Sequence, residues 1–124
     1  MPEQLAPLPP MNATERVRNY VNSQMATGKP VSILGMLADV VESIVDDELR
    51  VAGEDIIHTE DAWYVYQTRG VWVQREAIWI KTIIDRWYRA VIRRVPTKTV
   101  CGEILDAIMR YVHEEEISWA NVGN

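Results

Sequence analysis

Four short stretches carry residue types that could do chemistry. In "TGKP", Thr27 to Pro30, a Gly-Lys pair suggests a phosphate loop. Ser23 stands where that loop needs its first glycine, and Pro30 replaces the hydroxyl residue that would reach magnesium. In "HEEEI", His113 opens a stretch like a zinc-protease helix, but Ile117 occupies the place of the second histidine. "HTED", His58 to Asp61, sets a base beside two carboxylates on what reads as a polar loop ahead of a strand, the pattern of solvated turn chemistry. The two histidines lie 55 residues apart and Cys101 is the single cysteine, so spacing supplies neither a metal set nor a nucleophile with its base. The expectation is a chain with no catalytic residue, no metal and no cofactor.

Charge is the more informative signal. The net charge of −5 argues against a protein whose affinity comes from wholesale neutralisation of phosphates. It is banded, however: residues 1–30 carry +1, 31–61 carry −8, 69–98 carry +6 and 103–116 carry −4. Two readings follow. The bands can pair with each other when helices pack, or the basic segment can present a face to a phosphate backbone. The second reading nominates Arg69 at a hairpin tip, then Arg86, Arg89 and Arg93 at spacings of three and four on one helix face, with Arg94 and Lys98 beyond. The ten aromatic residues are five Trp and five Tyr with no Phe, so every ring carries a polar handle. Rings near those cations could stack on bases. For Trp72, Trp79, Trp87 and Tyr88 the competing role is core packing. A different class of function would use the acidic helix Asp39 to Glu48 as a docking surface for a basic protein partner.

The elements that position these residues follow from periodicity. A chain of 124 residues makes one ordinary domain with one core. Its 48% hydrophobic and 25% charged residues are globular values. No apolar run approaches the ~20 residues of a membrane span, and the lone cysteine fits a reducing, cytoplasmic setting. Residues 1–11 hold four of the six prolines and read as a flexible arm. The spacing predicts one domain over 12–124. A first helix opens at Asn12 with Glu15 three residues on, buries Val17, Tyr20, Val21 and Met25, and ends at Gly28 before Pro30. A second amphipathic helix in "VSILGMLADVVESIVDDELR" buries Ile33, Leu37, Val40, Val41, Ile44 and Val45, and its Gly35 would suit a close helix contact. The period then changes to two. Residues 62–74 read as a β-hairpin turning at "TRG", with Trp63 and Val65 on one face and Tyr64 and Tyr66 on the other. A third helix from Glu76 carries a stripe from Ile80 to Val95 before Pro96, and a fourth runs from about Thr99 to Glu114. The fold class is mainly α: a small bundle of about four helices with one hairpin.

In this order, "MLADVVESI…AWYVYQTRGVWVQ…IIDRWYRAVIRRV…EILDAIMRYV…ISWANVGN" resembles the region preceding the ATPase in poxvirus-type primase-helicases and related phage or plasmid replication primases. There an Ala-rooted helix leads to an aromatic strand, a short turn and a "GxW" strand, then a long helix, a second helix and an "N-x-x-N-G" element. Met36 to Ile44, Trp63 to Trp72, Ile83 to Val95, Glu103 to Val112 and Asn121 to Asn124 follow that order. The sequence departs from the family by stopping at Asn124, where a glycine and an ATPase would follow, as expected of an excised domain or a free-standing relative. The resemblance implies a non-catalytic accessory or linker module of a mobile-element replication primase or helicase, close to single-stranded template DNA and to a helicase or primase domain. It also implies the cytoplasm, or the host cytoplasm for a viral protein. The alternative is a small acidic protein-interaction factor, a phage or archaeal regulator, with no nucleic-acid role.

Overall fold

In the computed structural model, residues 10–50, 55–59, 62–67 and 70–122 are described, with the backbone alone over 114–122. Helix α1 spans Ala13–Ala26. Its first turn is held as the sequence predicts: the Glu15 amide donates to Asn12 Oδ1 at 2.8 Å. The return bond differs from a full capping box, because Glu15 Oε1 accepts from the Asn12 side-chain amide at 3.2 Å. At the other end Gly28 takes φ 68°. The Gly28 amide then donates to the Met25 carbonyl and the Lys29 amide to the Gln24 carbonyl, the two bonds that close a helix through a left-handed residue. Ala13, Val17 and Val21 are buried, whereas Met25, expected on the same stripe, is half exposed.

The second amphipathic run is less regular than its pattern predicts. It opens as a 3₁₀ turn at Leu34–Met36, continues as α2 over Leu37–Ile44 and ends in a π turn at Val45–Leu49. Ile33, Val40, Val41, Ile44, Val45 and Leu49 all reach the core. Among the described residues no neighbour approaches a Cβ placed at Gly35 within 4 Å, so the close helix contact that its glycine would allow is not made there.

Strands β1 (Asp55–Thr59), β2 (Ala62–Tyr66) and β3 (Trp72–Arg75) form an antiparallel sheet in that order. The expected hairpin is β2–β3, and β1 adds a third strand. His58 and Thr59, read from sequence as loop, therefore lie in a strand. Tertiary pairing explains the difference. Ile56 sits opposite Val65 and His58 opposite Trp63, where the two rings meet at 4.7 Å. Polar residues in "DIIHT" hide an alternation that only the partner strand completes.

Helix α3 covers Ala77–Val91 and buries Ile80, Ile83, Ile84, Trp87, Tyr88 and Val91, the predicted stripe. It ends earlier than expected: Ile92 is buried, Arg93 adopts φ 64°, and Val95 is 63% exposed. Helix α4 runs Lys98–Val122, past the predicted stop near Glu114 and through the tail that lacked a period. It packs on α2, α3 and β1, and buries Ile104, Ala107, Ile108 and Val112. The result is a mainly helical fold of four helices with a small antiparallel sheet. Among the described residues no helix is long and apolar enough to cross a membrane.

Candidate nucleic-acid interface

The structure separates the basic positions nominated from sequence. Arg69 lies outside the described residues. Arg86 reaches back to the π turn after α2 and pairs with Glu48 at 3.1 Å. Arg89 pairs with Asp85 one turn earlier in α3 at 2.8 Å. Arg16 on α1 likewise joins Asp39 at 2.9 Å and Glu42 at 3.3 Å. The acidic band 31–61 thus meets cations of other segments across helix contacts, the first of the two readings, at Arg86 and Arg16, whereas Arg89 pairs within its own helix.

Arg93 departs from the expected shared helix face, since α3 ends at Val91 and the left-handed backbone turns the side chain elsewhere. Its guanidinium donates to Asn22 Oδ1 of α1 at 2.6 Å, a bond to a neutral group that leaves its charge uncompensated. Arg94 and Lys98 are exposed and make no ion pair among the described residues. Burial pushes the Tyr88 phenol above its ordinary value, and the Arg94 charge opposes that push. Arg93 and Arg94 on the α3–α4 connection and Lys98 at the start of α4 are therefore three exposed cations within six residues of chain.

The acidic helix is partly occupied by its own neighbours. Asp46 pairs with Arg50 at 2.9 Å, and Asp47 accepts from the Thr14 hydroxyl. Ser43, 1% exposed, bonds with the same Thr14 hydroxyl and accepts from the Trp87 indole at 2.9 Å. This chain of polar groups fastens α1, α2 and α3 together.

The feature the sequence undervalued is the outer face of the sheet. Ile56, Trp63 and Val65 point into the core, so strand alternation turns Ile57, Tyr64, Tyr66, Trp72 and Gln74 away from it. Register places Tyr66 opposite Trp72 and Tyr64 opposite Gln74 and Ile57. Tyr64 and Tyr66 are half-buried, and Trp72, counted from sequence toward the core, is 43% exposed. The signal was in the period of two, which assigns these rings to one face without saying whether that face is covered. Trp87 and Tyr88 are core residues, and Trp79 packs against the core while Arg75 lies over its ring at 5.4 Å.

Among the described residues no three His, Cys, Asp or Glu side chains converge as a metal site. Burial pushes the Cys101 thiol up, with Lys81 lowering it and Asp85 raising it further. A groove of about 250 Å³ between the 31–37 segment and the first turns of α4 is lined by Val31, Ile33, Leu37, Val100, Glu103 and Ile104. That is small for an organic cofactor, whose sites start near ~300 Å³. The chain matches no protein-family model, no curated protein and no solved structure.

Proposed function

We propose that this chain is a non-catalytic accessory or linker module of a mobile-element replication primase or helicase, which touches single-stranded DNA weakly in the cytoplasm. The observation that carries the reading is the contrast among the arginines. Arg86 and Arg89 are spent on Glu48 and Asp85, while Arg93, Arg94 and Lys98 gather on an exposed connection without a carboxylate partner among the described residues. Such cations suit phosphates, and a net charge of −5 keeps the attraction modest. The resemblance of residues 31–124 to the segment before a replicative ATPase supplies the setting.

The test is titration of a labelled single-stranded oligonucleotide at low and moderate salt. Three phosphate contacts give a slope of about −2 in log affinity against log salt. Arg94→Glu and Lys98→Glu should abolish binding, and Arg86→Glu should weaken it less. Undetectable binding at low salt rejects the reading.

A second reading, the small acidic interaction factor, draws on the π turn at Val45–Leu49, which exposes Asp46 and Asp47 on a backbone form often found at functional sites. Charge reversal at both positions would abolish capture of a basic protein partner and leave DNA affinity unchanged.

A further inference from the structure

We infer that the outer face of the β1–β2–β3 sheet is a stacking platform for unpaired bases, with Tyr64, Tyr66 and Trp72 as its ring surfaces. The inference rests on the single-strand reading above. It places base contact on the sheet, one α3 length of about 22 Å from the cationic connection.

Register and alternation make the platform. Tyr66 and Trp72 occupy directly opposed positions, their ring centroids 5.1 Å apart and tilted by 58°. Tyr64 stands two residues before Tyr66 on the same face, about 6.8 Å away along the strand. That is twice the 3.4 Å rise of stacked bases, so the interval admits one base between neighbouring rings. Gln74, opposite Tyr64, places an amide with donors and an acceptor beside the rings. At the turn end, the Tyr66 hydroxyl lies close to Gly70, where a Cβ would come within 3.5 Å of it. Gly70 also holds φ 80°. Gly70 thus holds a backbone form that few other residues adopt.

Size and side-chain chemistry choose the occupant. Three strands of four or five residues present a face of about 240 Å², far below the ~800 Å² per partner of a stable protein interface. The area suits a few nucleotides. Tyr64, Tyr66 and Trp72 join a ring to a polar atom and Gln74 adds an amide, while Asp55, Ile57, Thr59 and Ala62 complete the face. Charge does not favour phosphate on this face: Arg75 lies opposite Trp63, on the core side of the sheet, with its guanidinium over the Trp79 ring, and Asp55 stands opposite Tyr66 on the outer side. Stacking, rather than charge, must then supply the contact made on this face, adding to the phosphate attraction of the α3–α4 connection, and stacking tolerates any base.

The experiment compares two twelve-nucleotide probes, a thymidine strand and an abasic sugar-phosphate strand, by fluorescence anisotropy. The proteins are the parent chain and Trp72→Leu, Tyr66→Leu and Arg94→Glu/Lys98→Glu variants. Leucine keeps apolar bulk and removes the ring, and circular dichroism checks that each variant folds. The platform predicts about fivefold or greater loss of thymidine binding for each ring variant, and a similar loss for the abasic probe on the parent protein. Equal binding of both probes, undiminished by the ring variants and lost in the charge variant, overturns the platform and leaves the proposed function standing. No binding of either probe overturns both. Sedimentation velocity adds a control: self-association that disappears in Trp72→Leu assigns the face to a second copy and overturns the inference.

Discussion

The indole nitrogen of Trp87 on α3 donates a 2.9 Å hydrogen bond to the hydroxyl of Ser43 on α2, with Ser43 1% exposed and Trp87 equally enclosed. Each group answers the other's desolvation in a place water does not reach. Ser43→Ala leaves the indole N–H without a partner and should cost about 1–3 kcal/mol. Trp87→Phe should cost more through lost volume. The double variant should lose less than the sum, because the second change removes the orphaned donor. Urea unfolding of the four proteins measures the cycle, and strict additivity would count against the bond.

The two tryptophans of the β2–β3 pair should behave differently. Trp63 is 2% exposed in the core and Trp72 is 43% exposed on the outer face. Trp63→Ala should cost about 3–5 kcal/mol, and Trp72→Ala under about 1 kcal/mol. Thermal melts give the comparison. Equal costs would mean that the outer face is covered.

Arg93 holds φ 64°, a conformation that crowds any Cβ and is worst for branched ones. Arg93→Gly relieves that strain and forfeits the Asn22 bond. Arg93→Val forfeits the bond and tightens the strain. The glycine variant should exceed the valine variant in stability by at least ~1 kcal/mol in denaturant unfolding.

Two groups give pH-dependent readouts. Burial raises the Tyr88 phenol pKa above its ordinary value near 10. A raised folded pKa means stability that is complete below the unfolded value and declines as pH climbs through the folded one. Stability measured by urea should therefore hold from neutral pH to about 10 and fall above it, less steeply in Tyr88→Phe. Cys101 is raised for the same first reason. Its alkylation at pH 8 should run slower than that of a peptide thiol and reach the peptide rate in urea.

Sequence alone determined the helices whose apolar residues recur on one side. The stripe from Ile80 to Val91, the Asn12 cap, the Gly28 stop and the β2–β3 pair are local consequences of side-chain period and backbone preference, and they stand as read. Tertiary structure decided what depends on partners distant in the chain. Strand β1 exists because Ile56 and His58 meet Val65 and Trp63, and Arg86 became a helix clasp because Glu48 lies across from it. Trp72 and Val95 are exposed because nothing else in the described fold packs over them, a fact no window of sequence contains. Periodicity says which residues share a face. Whether that face is buried, paired or left to a ligand is set by the packing of elements far apart in the chain, and there the basic helix face predicted for Arg86, Arg89 and Arg93 gave way to a cationic connection and an aromatic sheet.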